Sequence, residues 1–140
     1  MTTFSKHAAF FLVALICFSG CDSTTNTETL RDIGTVTVEI DFGSEKRAKS
    51  IPVVCSPDST VLLSLERAQN TKDLKFKVRG AGETAIVTSI GGLDGEGSDG
   101  KNWTFRVNDK LGDKSAGVYP VKPGDKISWS FGTPPKELQP

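Results

Sequence analysis

The chain is nearly without histidine, its single one being His7. Once an opening segment containing it is removed, no imidazole remains to serve as general base, partner of a nucleophile or metal ligand. Cysteine is almost as scarce. Of three, Cys17 and Cys21 lie near the start and Cys55 alone lies in the body, so a structural zinc site of Cys/His type is excluded by count. Long apolar runs are missing as well: the best, Ala8 to Phe18, has about eleven residues against the roughly twenty that a spanning helix needs. Neither sign of charge dominates. With 17 Lys and Arg against 17 Asp and Glu, nucleic-acid binding through bulk charge is unsupported.

What is present at the start has the three parts of an export signal. Lys6 and the amino terminus supply positive charge, the apolar run follows, and small residues lead to Cys21. Phe18-Ser19-Gly20-Cys21 resembles the lipobox of bacterial lipoproteins, with Phe18 where Leu is more usual. That resemblance implies removal of residues 1–20 and acylation of Cys21, and so an exported protein lipid-anchored in the cell envelope. Each buried CH₂ of the acyl chains contributes about 0.8 kcal/mol, enough for stable anchoring. A soluble, cleaved signal is the alternative. Asp22 resembles the inner-membrane retention signal of some bacteria, and the choice of membrane stays open. With Cys21 acylated, Cys55 is left alone and no intramolecular disulfide forms; unacylated, Cys21 has Cys55 as partner in an oxidising compartment. The ordinary reading of Cys55 is a small buried hydrophobe near a strand end.

Removing 20 of 140 residues leaves 120, which suits one domain with one core, and leaves 16 basic residues against 17 acidic, a net charge near −1. Residues 21–33 read as the lipidated cysteine and a polar tether, 34–132 as the folded domain, and 133–140, opening Thr133-Pro134-Pro135, as an extended or disordered tail. Inside the domain strands dominate. Val36, Val38, Ile40 and Phe42 alternate with polar residues, the period of a half-buried strand. Lys49 to Cys55 reads as another, with Pro52 marking an edge. Pro57-Asp58-Ser59 offers a helix start, Val61, Leu62, Leu65 and Ala68 share a helical face, and Asn70 marks the stop. Leu74 to Val78, Ala85 to Ile90, Trp103 to Val107 and Ile127 to Phe131 complete the strands, with the basic residues from Lys72 to Arg79 on a solvated face. Strands, one helix and more strands predict an α+β domain, a β-grasp-like mixed sheet packed on one helix.

Three segments carry a further resemblance: Asn102-Trp103-Thr104-Phe105-Arg106-Val107-Asn108, then Gly117-Val118-Tyr119, then Lys122-Pro123-Gly124-Asp125-Lys126-Ile127-Ser128-Trp129. With the Ser59 to Leu65 helix start, this set resembles the bacterial family of unknown function related to the transcobalamin C-terminal domain. The resemblance implies a β-grasp fold of soluble-ligand-binding type, whose best-understood member helps to enclose cobalamin; it implies no activity. The cobalamin carriers pair this domain with a large helical domain for which the chain has no room, so no cofactor is expected.

Several motifs are set aside. Gly95 to Gly100 matches G-x-G-x-x-G and Gly80 to Ala85 its alanine variant, but each runs into a predicted strand rather than opening a helix, so no helix N-terminus faces a pyrophosphate. Asp94, Glu96, Ser98 and Asp99 fail as an EF-hand loop because Asp99 holds the glycine position and Phe105 the closing carboxylate position. No metal site and no catalytic residue is assigned, and the chain is expected not to be an enzyme. Two readings of function remain: a module binding a small molecule, or one docking an envelope protein by a sheet edge or glycine-rich loop. The candidate ligand contacts are Trp103, Asn108, Tyr119, Gly95 and Gly97, on the connections either side of the Trp103 strand, although Trp103 also fits an ordinary core face.

Overall fold

A computed structural model describes residues 33–43, 48–72, 74–98 and 100–138. The export signal, Cys21 and the tether expected before the domain lie outside the described residues. The elements are β1 (Gly34–Asp41), β2 (Lys49–Cys55), α1 (Val61–Lys72), β3 (Phe76–Arg79), β4 (Ile86–Ile90), β5 (Leu93–Asp94), β6 (Asn102–Val107), β7 (Lys110–Leu111) and β8 (Lys126–Gly132). Five strands form one mixed sheet in the order β2-β1-β8-β6-β7, and β3-β4-β5 form a second, antiparallel one. The α+β, β-grasp-like expectation holds, with the middle strands splitting off as a separate sheet.

Alternation explains the large sheet. Val38 pairs with Ile51 on one side and Ile127 on the other, and Ile127 pairs with Val107, so one row of apolar side chains crosses four strands. The next row runs Ile40, Trp129, Phe105. Val36, Val38, Ile40, Ile51, Ile127 and Trp129 are all at most 2% exposed. They pack on the Val61, Leu65 and Ala68 face of α1, which is also fully buried. The helix runs to Lys72, past the expected stop at Asn70.

Pro52 sits where its missing N–H costs nothing. Thr37 donates to the Asp125 carbonyl and Thr35 accepts from the Gly124 N–H, so both aim their backbone groups toward β8. Their partners Pro52 and Val54 therefore face the free edge. There the Arg67 guanidinium from α1 covers the Val54 carbonyl at 2.6 Å and also reaches the Ser59 hydroxyl at 2.7 Å.

One expected alternation fails. Leu74 is buried and Phe76 half-buried, but Val78 is 41% exposed. The register against β4 shifts between Lys77 and Val78, where β4 carries the extra residue Thr88, and β3 is exposed from Lys77 to its end. Beyond Gly132 the described residues of the tail include a single 3₁₀ turn, Lys136–Leu138.

The start of α1 differs chemically from the expectation at Ser59. Thr60 is the cap, its hydroxyl accepting from Leu63 N–H at 3.2 Å. The other early amide groups find carbonyls from a distant segment: Val61 donates to Tyr119 and Leu62 to Ala116, at 3.0 and 2.9 Å. Ser59, 1% exposed, serves the Arg67 and Ser56 contacts instead.

The two tryptophans test how polar groups are handled in this core. Trp103 Nε1 donates to the Leu93 carbonyl at 2.8 Å, whereas Trp129 Nε1 is buried without a hydrogen-bond partner among the described residues. Burying an indole of ~200 Å² at ~25 cal/mol/Å² is worth about 5 kcal/mol, against ~1–3 kcal/mol for an unmet donor. Packing wins, so Trp129 is retained despite the unpaired group. Accordingly Trp103→Phe is expected to destabilise the domain more than Trp129→Phe, since only the former loses a made bond; urea unfolding compares them. Thr60→Ala should lower stability by about 1 kcal/mol in the same assay.

Candidate functional site

The connection from β6 to β8 builds a cleft at the end of the sheet where β1 begins. Val107 pairs with Lys110, so Asn108 and Asp109 form a two-residue hairpin turn, with φ of 50° and 67°. Positive φ at both positions matches the twist of a hairpin, and Asn tolerates it best after glycine. The Asn108 side chain then ties this turn to another. Its Nδ2 donates to Asp125 Oδ1 at 2.7 Å and its Oδ1 accepts from Lys126 N–H at 2.9 Å. Asp125 completes the lock, Oδ2 accepting from Lys122 N–H at 2.8 Å.

Tyr119 approaches from the other wall. Its carbonyl is held by the N-terminus of α1, and its half-buried ring stands edge-on to Phe105 at 5.5 Å, 85° between planes. Asn108 and Tyr119 thus line one cleft of about 470 Å³, together with Lys110, Lys114, Lys122, Asp113 and Asp125. Charge in this cleft is mixed, three ammonium groups with two carboxylates, so its walls offer both donors and acceptors around an aromatic ring.

The remaining candidate residues lie elsewhere. The connections carrying Gly95 and Gly97 and carrying Asn108 leave opposite ends of the six-residue β6, about 20 Å apart, and do not meet as one edge. The glycine-rich loop is folded on itself. Glu96 N–H donates to the Lys101 carbonyl and Lys101 N–H to Glu96 Oε2, both at 2.8 Å, while the Asn102 amide bonds the Gly97 and Gly100 carbonyls. A Cβ on Gly95 would stand 2.7 Å from Asn102 Oδ1, so Gly95 is required by the loop's own closure, whereas Gly97, at φ 95°, opens to solvent. Trp103 is 7% exposed and wedged between Phe42 and Phe131, at 5.6 and 5.4 Å between ring centroids. It contributes one wall of a smaller cavity of about 190 Å³ shared with Phe105, Trp129 and Leu138.

Sequence reasoning passed over Asp125 and the lysines of the cleft. Asp125 stands in the sequence only within the Lys122 to Trp129 segment that carries the family resemblance, and nothing in that pattern foretells its bond to Asn108. Cys55 is fully buried at the end of β2, its thiol 3.6 Å from the Val121 carbonyl, and has no disulfide partner among the described residues. Among the described residues no group of three or more His, Cys, Asp or Glu is placed to hold a metal.

Among the described residues one carboxylate is electrostatically marked. Asp94 is held below the usual carboxylate range by hydrogen bonds from the Ser89 hydroxyl and Lys77, and by the charge of Lys77, 3.2 Å away. A lowered folded-state pKa means that the stabilisation is present above the ordinary carboxylate range and vanishes as pH falls through the folded value.

The fold and its cleft define a class: a small β-grasp domain with a helix-backed groove at one end of a mixed sheet. More particularly, the chain belongs to the family described as domain of unknown function DUF4430, which matches residues 58–133. Its fold is that of the transcobalamin C-terminal type. Among solved structures, haptocorrin in complex with Cbi is similar at 21% identity and a TM-score of 0.62, over 72% of this chain and 26% of that one. The chain thus spans about a quarter of the haptocorrin chain. A candidate metal-binding protein from Ruminococcus gnavus ATCC 29149 is similar at 15% identity and a TM-score of 0.55, over 73% of this chain and 99% of that one. At these identities the likeness is one of fold. No curated protein matches the chain.

Two outcomes are expected here. Asn108→Gly should lose ~1–3 kcal/mol through its two side-chain bonds, and Asn108→Ala a further ~1 kcal/mol or more, because alanine resists positive φ; chemical denaturation separates them. Asp94→Asn should lower thermal stability slightly at neutral pH, and the gap from the parent should close in acid as the parent's own carboxylate is protonated.

Proposed function

We propose that the chain is an exported lipoprotein, held to a bacterial membrane through Cys21, whose folded domain is a non-catalytic binding module for a small molecule. The observation that carries the binding half is the joining of Asn108 and Tyr119 in one cleft, each fixed from behind by hydrogen bonds to a separate element. Such pre-set walls lower the ordering cost of binding. The similarity to haptocorrin, solved in complex with Cbi, supports a binding role for the fold. It does not transfer the ligand, because the likeness reaches only 26% of that chain, and the module is assigned no cofactor.

Docking of an envelope protein by strand addition is the weaker reading on physical grounds. The β2 edge is blunted by Pro52, which lacks a donor, and by Arg67, which occupies the Val54 carbonyl. At the opposite edge β7 is only two residues long.

The anchor rests on the lipobox-like Phe18 to Cys21 and its apolar run. Cys21→Ser is expected to be exported yet no longer to partition with membranes; persistent metabolic lipid labelling of that variant overturns the anchor. For the binding role, mass spectrometry of small molecules co-purifying with the intact protein is compared between parent and Tyr119→Phe. That change keeps the ring against Phe105, so folding should stand within about 0.5 kcal/mol. Loss of a bound species supports the cleft, and an identical set of bound species in both proteins overturns it.

A further inference from the structure

Another cavity, of about 370 Å³, opens at the other end of the molecule, between the two sheets. Its walls carry Lys49 from β2, Lys75 just before β3 and Lys77 within it, with no carboxylate among the described residues that line it. The contrast with the Tyr119 cleft decides its chemistry. There Asp113 and Asp125 offset the lysines, whereas here the charged residues of the lining, among the described residues, are all lysines. The only ion pair given to these three lysines among the described residues is Lys77 with Asp94, at 3.2 Å.

Gathering like charges on one cavity works against folding. Nothing in the local sequence forces it. Lys75 and Lys77 are two residues apart on an extended segment and so share a side, and Lys49 arrives from a different sheet. The floor is apolar and rigid: Leu74 is 1% exposed, Phe76 is half-buried, and Gly91 packs so tightly that an added Cβ would stand 2.7 Å from the Phe42 ring. The Lys49 ammonium lies 6.0 Å above that same Phe42 ring, which draws it toward the cavity side of the sheet.

We propose that this cavity is a binding site for a small organic oxyanion with an apolar body, distinct from the Tyr119 cleft. The oxyanion is met by Lys49 and Lys75, and the apolar body rests on Leu74 and Phe76. Lys77 is partly withheld by Asp94, so Asp94 weakens the site.

Phenyl phosphate, titrated into the purified full chain and followed by calorimetry and amide NMR shifts, tests this. Binding is expected to saturate, with shifts centred on Lys75 to Lys77 and Gly91-Gly92, and to weaken as ionic strength rises. Lys49→Gln and Lys75→Gln should each weaken it about tenfold, and both lysines are exposed, so the variants should keep the circular dichroism of the parent. The arginine variants should restore binding, and Asp94→Asn should tighten it. The proposal is overturned by absence of saturable binding, by equal binding of neutral phenol at the same residues, by glutamine variants that bind unchanged, or by shifts centred on Tyr119. Since neither Tyr119 nor Asn108 lines this cavity, failure here leaves the reading of the other cleft standing.

Discussion

The parallel pairing of β1 with β8 is the constraint on which the rest of the structure depends. It sets the first strand of the domain beside the last, Thr37 against Lys126 through Asp41 against Ser130, and every other element lies between them in sequence. Two neighbours in a parallel pair need a long crossover, and here the crossover is almost the whole domain. Its exit is fixed by the turn before β8: Gly124 N–H and Asp125 carbonyl bond Thr35 and Thr37, while the Asp125 carboxylate holds Asn108 and Lys122. One aspartate therefore sets the register of the central pair and the position of a cleft wall together. Its two roles are coupled, so disturbance of the pairing and of the cleft is one event.

The helix is the second support, and it acts through its end as much as its face. Early amide groups of α1 that have no partner within the helix are met by the Tyr119 and Ala116 carbonyls. That bond satisfies the helix and also holds the segment bearing Tyr119, while Ser115 reaches across to the Gly82 and Ala85 carbonyls at 2.8 Å each. The 115–119 segment has no regular structure of its own, yet it is bonded on both sides. A cleft wall made of irregular chain is thereby given the rigidity of the elements around it.

How much of this was legible in the sequence follows from which interactions are periodic. Strands β1, β2, β6 and β8 and the buried face of α1 were readable because burial repeats every two or every 3.6 residues, and Pro52 marked an edge for a backbone reason alone. Val78 continues the pattern of Leu74 and Phe76, and neither its exposure nor the bulge opposite it in β4 carries a compositional mark. Asn108 was legible as a residue of the connection after the Trp103 strand, but its bond to Asp125 joins positions 17 apart and leaves no local trace. Gly95 and Gly97 looked like openings for a ligand because glycine has the same signature whether the close neighbour is a ligand or, as for Gly95, the chain's own Asn102. The lysine cavity was invisible for a related reason: Lys75 and Lys77 read correctly as the polar side of a strand, and only the meeting of two sheets adds Lys49.

The positions of the two cavities bear on how an anchored protein would present them. The Tyr119 cleft lies where β1 begins, against the Pro123 to Asp125 turn, and the lysine cavity lies where β1 ends and β2 starts. An eight-residue strand separates these ends by roughly 25 Å. If Cys21 carries the lipid, the residues between it and Gly34 reach about 40 Å when extended, which exceeds that separation. Such an anchor would then impose no fixed face toward the bilayer, although β1 begins at the Tyr119 end and attachment there would bring that end nearer on average. An anionic membrane surface would attract the lysine cavity and work against that average, whereas the mixed charge of the Tyr119 cleft would respond weakly. For a chain so anchored, orientation at the membrane would be set by the competition between attachment and surface charge, and it would shift with ionic strength because only the second term is screened.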